Sequence, residues 1–511
     1  MFDVSGIYTE ELPQFLNVST QAGAESIRHT MTKWSADLQT LNVRSKKARI
    51  LKSALRSETA LRPLFEEFAA VEPIVHEFLN VQSELEDESY SQIFFKHSGL
   101  KFLNHVPSFI AVLTIFKKVI MPAMLAIMPL LTIIVPYIVI KYVMAVPITI
   151  SQYFDIVKNM YLSGVTGNAG PAGDGGFTTR IKLLFQAGMF IFGTIQSTYQ
   201  PILGAIHLNA IDKTIKERGA TLVRALEIYS EIRDCLERRG IRTMHIHIPS
   251  EIMQDHRRLV AFFMESPFYA KQLLDWIGAW DVAVGFAQCD ACTHVTWCKR
   301  DIDSNSPHIF IRNTCDTRIC RKKQKPFDIY VGAIYGGKDI LLTGPNRGGK
   351  STILRALLRS VLLAHTYGVT IGDECKMTPL DWVKTSLRME DLPGTESLFE
   401  REVSFAKDTL AARPGSYGLV CIDELFHSTN PPDAEKTSRA YLEALWKRQH
   451  TLSIISTHIF QIVRDAPDKV KKLCCPAEEL EDGSISYKYG LEEGICRVSS
   501  VNEIIGGAFD N

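Results

Sequence analysis

The sequence lacks an excess of either charge. Its 511 residues include 57 Lys and Arg and 57 Asp and Glu, so the formal net charge is zero. This balance excludes a protein that binds nucleic acid through bulk positive charge alone, although a local basic face remains compatible with it. Charged residues make up only 22% of the chain and hydrophobic residues 46%, which excludes general disorder.

The chain also lacks the features of a secreted protein. No N-terminal signal peptide, internal repeat or low-complexity tract stands out, and the 11 cysteines form an odd, scattered set without a disulfide-framework pattern. These features predict an intracellular protein in a reducing compartment. The length predicts two to four domains.

One stretch lacks charge altogether. Residues 119–140 are 22 residues without a charged side chain, with a lysine on each side. About 20 apolar residues suffice to cross the hydrocarbon core of a bilayer. Pro122, Pro129 and Pro136 lie in this stretch; each would cost a soluble helix about 3 kcal/mol, whereas membrane helices tolerate proline better. We therefore predict membrane insertion or membrane-surface association. The alternative is a hydrophobic hairpin buried in a helical core.

Hydrophobic periodicity predicts the domain organisation. Residues 1–105 are predicted to be helical, and residues 106–150 contain the apolar, transmembrane or membrane-associated segment. Residues 151–286 form a second helical region with a glycine-rich loop at 164–176. In residues 287–511 short strand-like runs alternate with helices, which is typical of an α/β domain.

The second helical region is predicted to contain several helices. Residues 181–206 are apolar, but a lysine and three glutamines make them a weaker candidate for a membrane span than residues 119–140. We expect this stretch to pack as one helix and a separate, charged amphipathic helix to follow at residues 209–239. Residues 253–286 are predicted to form one or two more.

The strongest chemical signal is a glycine-rich loop between a predicted strand and a predicted helix. The apolar run at residues 340–343 leads into G-P-N-R-G-G-K-S, and residues 353–365 are helical in pattern. Such a loop wraps backbone N–H groups around phosphates at the positive end of the helix. Lys350 would reach the β- and γ-phosphates and Ser351 would ligate magnesium. The predicted ATP-binding residues here are Gly344, Pro345, Asn346, Arg347, Gly348, Gly349, Lys350, Ser351 and Thr352.

Two further predicted strands end in polar residues. The run at 417–422 ends in Asp423 and Glu424, the arrangement expected of a magnesium-binding carboxylate and a base that polarises the attacking water. The run at 452–457 ends in His458, which suits a group that senses the γ-phosphate. We predict Glu424, His458 and Lys350 as catalytic residues and Ser351 and Asp423 as magnesium ligands. The alternatives are an acidic pair at a strand end and a structural histidine.

These motifs together resemble the MutS family of ABC-class ATPases. The loop T-G-P-N-R-G-G-K-S-T is similar to the family's T-G-P-N-M-G-G-K-S-T, with Arg347 in place of methionine. Residues 390–392 and 397–402 resemble the family's D-D-L and S-T-F-x-x-E elements, and residues 456–458 resemble its A/S-T-H switch. The resemblance implies a C-terminal ABC-type P-loop ATPase domain with Mg²⁺ and ATP as cofactors. It also implies a lever- or core-like role for the mainly α-helical N-terminal region.

The resemblance further implies a homodimer, or a heterodimer with a relative, that clamps mismatched or structured DNA when it binds ATP. Ser397 would lie at the start of a helix and point at the γ-phosphate bound by the partner subunit. Phe327 would stack on adenine. After Glu424 the chain reads L-F-H-S-T-N where the family has L/I-G-R-G-T-S, so we expect altered coupling between two ATP sites. The alternative function is a membrane-associated ATPase that acts on a partner other than DNA.

Two other patterns are interpreted as structural. Phe65-Glu66-Glu67 matches the family's F-x-E mismatch wedge by letters alone, but its helical context predicts a core phenylalanine beside surface acids. A set of cysteines and one histidine resembles a zinc site in composition, but its irregular spacing does not favour zinc. That set is Cys289, Cys292, His294, Cys298, Cys315 and Cys320.

Overall fold

The chain forms two compact units. The computed structural model describes residues 10–79, 90–163, 177–300, 306–319, 324–387, 397–480 and 484–498. Unit 1 consists of residues 1–70, 231–243 and 274–511, and unit 2 consists of residues 71–230 and 244–273. The predicted glycine-rich loop at 164–176, the predicted element at 390–392 and Cys320 lie outside the described residues.

All described strands belong to unit 1. They are β1 (Cys292–His294), β2 (Thr296–Trp297), β3 (Ile309–Thr314), β4 (Phe327–Val331), β5 (Asp339–Thr343), β6 (Val369–Ile371), β7 (Glu374–Met377), β8 (Trp382–Ser386), β9 (Gly418–Ile422), β10 (Thr451–Ser456), β11 (Val470–Cys474), β12 (Ala477–Glu479), β13 (Ile485–Tyr487) and β14 (Glu492–Glu493). The main sheet has the order β14–β11–β5–β10–β9–β8. Its last five strands run parallel, and β14 is antiparallel to β11.

The sequence explains the main sheet. Strands β5, β9 and β10 are buried at every position, as expected of parallel strands covered on both faces. Their register pairs Ile454 with Ile340 on one side and with Cys421 on the other. A four-stranded sheet, β2–β7–β3–β4, and the antiparallel pairs β1–β6 and β12–β13 complete the described strands of unit 1.

Helices account for most of the remaining described chain. They are α1 (Leu12–Phe15), α2 (Gln21–Met31), α3 (Leu38–Leu55), α4 (Leu61–Glu77), α5 (Pro107–Ile115), α6 (Met121–Ile138), α7 (Ile150–Ser163), α8 (Phe177–Arg238), α9 (Ser250–Met253), α10 (His256–Glu265), α11 (Pro267–Gln288), α12 (Lys350–Tyr367), α13 (Leu398–Leu410), α14 (Pro431–Trp446) and α15 (Phe460–Asp465). The α/β C-terminal region and the mainly helical N-terminal region therefore agree with the predicted fold class.

Helix α12 is the central helix of unit 1. It packs against β3, β6, β9 and β10, and its side chains from Ala356 to Thr366 are all buried. The buried guanidinium of Arg359 pairs with the buried carboxylate of Asp316 at 3.4 Å. An ion pair removed from water is tolerated only when each charge has its partner. This pair therefore fixes α12 to the segment that follows β3.

Two predictions about the helical region need correction. The stretches at 181–206 and 209–239 are parts of one helix, α8, which contains Pro201 in its interior. No glycine or proline separates them, so the change from apolar to charged composition does not end the helix. The buried-hairpin alternative for residues 119–140 is also wrong, because the described apolar side chains of that stretch are largely exposed. Phe65, by contrast, is fully buried, so the interpretation as a core residue is confirmed.

Candidate functional site

The site starts at the loop between β5 and α12. Gly344, Arg347 and Gly349 have positive φ angles of 145°, 67° and 104°, a backbone region that glycine enters without steric cost. A Cβ on Gly344 would also approach the Cys475 carbonyl oxygen to 3.0 Å. The glycines are therefore required by the loop conformation, whereas Arg347 adopts a left-handed conformation that a non-glycine residue rarely takes.

Helix α12 begins directly after this loop. Gly349 is its N-cap and supplies no side-chain hydrogen bond, so the N–H groups of the first turn are not satisfied by a cap. Ser351 and Thr352 lie in that turn, and the Thr352 hydroxyl accepts a hydrogen bond from Arg355 at 3.3 Å. Exposed N–H groups and the helix dipole favour an anion at this point.

Lys350 places a cation inside the loop. Its ammonium donates to the carbonyl oxygens of Gly344 at 2.8 Å and Pro345 at 3.1 Å, and the side chain is buried. Burial lowers the pKa of Lys350, while the nearby carboxylates of Glu424 and Asp423 oppose this shift. The sequence thus brings one lysine and two acids into electrostatic contact although they are more than 70 residues apart.

Asp423 and Glu424 follow the carboxyl end of β9, beside the end of β10. The Ser456 hydroxyl donates to Asp423 Oδ1 at 2.7 Å and accepts from the Glu424 backbone N–H at 2.8 Å. The Asp423 N–H donates to the carbonyl oxygen of Ser386 at the end of β8 at 2.9 Å. Three adjacent strand ends therefore orient the two acids.

His458 completes this group. Its Nε2 lies 3.2 Å from Glu424 Oε1, and this hydrogen bond holds the pKa of Glu424 below its ordinary value despite partial burial. Glu424 has a φ of 60°. Strained, non-glycine backbone of this kind tends to be retained where side-chain placement matters for function. The structure thus brings together Lys350, Asp423, Glu424 and His458.

Ser397 lies at the start of α13, as the family resemblance implies. It forms a capping box with Glu400: its hydroxyl accepts from the Glu400 N–H, and its own N–H donates to the Glu400 carboxylate at 2.9 Å. These hydrogen bonds lie within its own helix.

Helix α13 is joined to the divergent segment that follows Glu424. The buried carboxylate of Glu402 lies 3.0 Å from His427 Nδ1 and accepts a hydrogen bond from Ser428. The rings of Phe399 and Phe426 also meet edge to face at 6.1 Å. This segment therefore connects the acidic strand end to α13 through Phe426, His427 and Ser428.

A cavity of about 300 Å³ adjoins the loop. Its wall includes Gly348 and Gly349, and Phe327 and Tyr489 supply aromatic rings. Phe327 is buried, whereas 46% of Tyr489 is exposed and the Lys325 ammonium lies 5.4 Å from the Tyr489 ring centroid. The predicted adenine-stacking residue, Phe327, thus lines the cavity, but Tyr489 offers the more accessible ring.

Several of these residues were missed by sequence reasoning. Lys325 carries no motif of its own, and Tyr489 belongs to a stretch that resembles a strand of the family rather than its nucleotide site, so only the fold brings them to the loop. Ser456 was part of the S-T-H motif, yet its hydrogen bonds to both acids depend on the register of β9 and β10. Glu402 belonged to the S-x-F-x-x-E element, but its contacts with the divergent segment could not be inferred from spacing.

The cysteine-rich segment has a different character. Cys289, Cys292 and Cys315 are buried in the hydrophobic core of unit 1. A hydrogen bond with Cys289, together with burial, raises the pKa of Cys292, which disfavours the thiolate that binds metals. Within the described part of the chain, no three His, Cys, Asp or Glu side chains are grouped as a metal site would require.

Comparison with known proteins gives matches to about a third of the chain. A family model described as MutS domain V matches residues 340–505. The DNA mismatch repair protein Msh6 of Gallus gallus is 32% identical over 185 residues, which cover 34% of this chain and 14% of that protein. MSH6 of Arabidopsis thaliana is 28% identical over 178 residues (34% and 13%), and human Msh6 is 30% identical over 166 residues (31% and 12%).

The match spans roughly one eighth of the length of these curated relatives. The matched residues of this chain include the strand, loop and helix around Lys350 and the strand ends that carry Asp423 and His458. Over this C-terminal region, the chain is therefore similar to domain V of the MutS family.

Proposed function

We propose that unit 1 binds Mg²⁺-ATP and hydrolyses it. One observation supports this most strongly: Lys350, Asp423, Glu424 and His458 converge at the carboxyl ends of β5, β9 and β10, beside the N-terminus of α12. Ligands of open parallel sheets bind at this edge. The arrangement offers a cation, a carboxylate pair and a helix terminus to one polyphosphate.

Each residue has a role that follows from its position. The N–H groups of the loop and of the first turn of α12 would hold the phosphates, and Lys350 would exchange its two carbonyl partners for phosphate oxygens. Phe327 and Tyr489 would enclose the base in the adjoining cavity. Ser351 and Asp423 are oxygen donors of the kind that Mg²⁺ prefers, so these residues fit the metal. When bound, Mg²⁺ neutralises charge on the phosphates.

Hydrolysis requires an oriented water molecule. Glu424 is ionised at neutral pH, since His458 lowers its pKa, and a carboxylate at that position can orient and polarise a water. His458 holds the carboxylate through the 3.2 Å hydrogen bond and would also sense the γ-phosphate. Most of the rate acceleration would come from positioning and charge stabilisation around the phosphoryl group.

Nucleotide binding tests the first part of this proposal. Lys350→Ala should reduce the affinity for Mg²⁺-ATP at least about a hundredfold, because it removes a charge-assisted contact to the phosphates. Lys471→Ala is a matched control, since Lys471 lies on the neighbouring strand β11 and pairs with the exposed Glu493. Equilibrium titration with a fluorescent ATP analogue measures both. Equal affinities for Lys350→Ala and wild type would remove Lys350 from the site.

We further propose that two chains share each ATP site. The support is the similarity of residues 340–505 to MutS domain V together with the exposed position of Ser397 at the start of α13. The second chain would be another copy or a MutS relative. In this arrangement Ser397 would exchange its bond to Glu400 for the γ-phosphate held by the partner.

A mixing experiment tests this sharing. Lys350→Ala and Ser397→Ala should each be inactive alone. In a mixed dimer, one site would carry both substitutions and the other neither. With random pairing, half the dimers are mixed and each has one intact site of two, so the mixture should regain about a quarter of wild-type hydrolysis. No recovery, with exchange of subunits verified by differently tagged chains, would contradict a shared site.

The proposed target is DNA, in mismatched or otherwise structured form. The support is that the three relatives are named DNA mismatch repair proteins. Phe65 is buried and so cannot act as a mismatch wedge, which leaves recognition to other parts of the chain. A gel-shift comparison of perfect, mismatched and branched duplexes with ATP tests this. Binding that weakens steeply with added salt supports the DNA target, and the absence of binding to every form contradicts it.

A further inference from the structure

Unit 2 exposes a long apolar segment that the proposed function does not use. Helices α5 and α6 are joined by a π-helical turn at Phe116–Ile120 and continue into another at Val139–Val143. Among the described residues, the helical stretch Pro107–Met128 is long and apolar enough to cross a bilayer, and it overlaps the charge-free run at residues 119–128. Only 11% of its most apolar 18-residue window is buried. From residue 119 to residue 139 the large apolar side chains that are exposed by 39–61% are Val119, Ile120, Met121, Met124, Leu125, Ile127, Met128, Leu131, Ile134, Val135, Ile138 and Val139.

The distribution of these side chains around the helix indicates what covers them. At about 100° per residue they occupy roughly 240° of the helix circumference. A helix that docks on one protein surface, or on a second copy of itself, presents a stripe of roughly 100°. A helix that is apolar over most of its circumference belongs either in a protein core or in lipid. Since the structure shows these side chains exposed, lipid is the remaining environment.

A polar cluster marks one end of the charge-free run. Lys118 donates to Asp212 at 2.5 Å and to Asn209 at 3.0 Å, and Arg257 donates to the same aspartate at 2.6 Å. Burial alone would raise the pKa of Asp212, but hydrogen bonds from Arg257 and Lys118 outweigh it and lower the pKa to about 2. Asp212 is therefore ionised and paired with two cations in unit 2, immediately before the apolar run.

The other end has the composition of a membrane interface. Lys141 Nζ lies 3.0 Å from the Tyr137 hydroxyl and 5.4 Å from the Tyr142 ring centroid. Tyr137 also packs on Tyr153 with ring centroids 5.1 Å apart. Tyrosines gather at the boundary between hydrocarbon and water, where lysine can extend its charge into the head-group region.

A second helical stretch leaves the same polar cluster. Residues 183–206 of α8 contain 24 residues without a charge and end three positions before Asn209. Their described apolar side chains are exposed too, among them Phe185, Met189, Phe192 and Ile195. Gly188, Gly193 and Gly204 have open space where a Cβ would be, and small residues of this kind allow close helix packing in membranes.

We propose that residues 119–140 insert into the hydrocarbon core of a lipid bilayer, with residues 183–206 as the second arm of a helical hairpin. At 1.5 Å per residue the 22 residues of the first arm span about 33 Å, against a hydrocarbon thickness of about 30 Å. Insertion also accounts for the prolines, because neighbouring helices and π-helical turns re-satisfy the backbone groups that proline frees. This inference does not depend on ATP binding by unit 1.

Flotation of the full chain with phosphatidylcholine vesicles tests the proposal. The wild-type protein should float with the vesicles and stay with them in alkaline carbonate. Leu125→Asp combined with Met128→Asp should lower the floated fraction at least about tenfold, since aspartate is strongly disfavoured near the centre of a span. Ile134→Asp combined with Ile138→Asp should have the same effect from the other half of the arm. Val43→Asp combined with Ile50→Asp, two exposed apolar residues of α3, is the matched control and should float normally.

Circular dichroism and the midpoint of thermal unfolding show whether each variant is folded, and variants that keep the wild-type values are compared. Wild-type protein that remains in the lipid-free fraction, or aspartate variants that float as well as wild type, would overturn the proposal. A soluble wild-type oligomer that the aspartate variants dissociate would also overturn it, by assigning the apolar surface to a second copy of the chain. None of these outcomes depends on whether Lys350 binds ATP.

Discussion

The proposed ATP site of unit 1 and the apolar helices of unit 2 differ in how sequence determines structure. At the proposed site nearly every residue type has a specific role: glycines permit positive φ angles, and paired polar groups fix Asp423 and Glu424. In residues 119–140 one apolar side chain could replace another, because the proposed membrane environment depends only on the length of the run and on its lack of charge. Single conservative substitutions should therefore impair the first region, whereas only polar or charged substitutions should impair the second.

The largest effect expected in testing this contrast comes from a charge inside unit 1. Asp316→Ala removes the buried carboxylate that Arg318, Arg355 and the buried Arg359 share and should lower the free energy of unfolding by about 3–5 kcal/mol. Arg439→Ala is the control, because its pairs with Glu435 and Asp465 are exposed and exposed ion pairs contribute little to stability. Denaturant unfolding measures both. Equal losses would mean that burial does not distinguish the two pairs.

A smaller effect is expected from pH. His365 is buried; its Nδ1–H donates to the Val361 carbonyl and its Nε2 accepts from the Leu380 N–H, so the folded state requires the neutral ring. Burial lowers the pKa of His365 to about 3. Below pH 6.5 this histidine binds a proton in the unfolded chain but not in the folded chain. The free energy of unfolding therefore falls with decreasing pH.

This histidine should account for about 2 kcal/mol between pH 6.5 and pH 5. The measurement is the free energy of unfolding against pH for wild type and His365→Gln. The glutamine variant should be less stable at pH 7 and show a shallower decline on acidification. Parallel curves for the two proteins would show that the histidine is not responsible for the decline.

The smallest effect concerns the divergent segment after Glu424. Glu402→Gln weakens the bonds to His427 and Ser428 and should loosen α13 relative to the acidic strand end. We expect ATP hydrolysis to fall about two- to tenfold with unchanged nucleotide affinity, as for a positioning residue. Glu443→Gln, at an exposed position on α14, should change neither. A loss of affinity equal to the loss of rate would place Glu402 in nucleotide binding instead.

The same contrast explains what the sequence could predict. The strand, the loop and the helix around Lys350 were predicted, and helix α12 extends only a few residues beyond the expected 353–365. Local chemistry dictates these elements. The contacts of Tyr489, Glu402 and Ser456 arise between segments far apart in the chain, so no local pattern contains them.

Helix α8 shows a case in which the composition of the sequence led to a wrong prediction. A change of composition near residue 207 was interpreted as a helix boundary, but the backbone continues through it as one helix. Helix ends are set by caps and by residues that break the hydrogen-bond ladder, and none is present there. Composition reports the environment of a helix rather than its ends. The exposed apolar half of α8 and its charged half fit that distinction.

The most direct test of the account is the behaviour of Glu424→Gln. The substitution keeps the size of the side chain and removes the ionised carboxylate that His458 orients. We expect Mg²⁺-ATP to bind with an affinity within about twofold of wild type, while single-turnover hydrolysis falls at least about a hundredfold. Hydrolysis at the wild-type rate by this variant would contradict the assignment of Glu424 and, with it, the proposed ATP site.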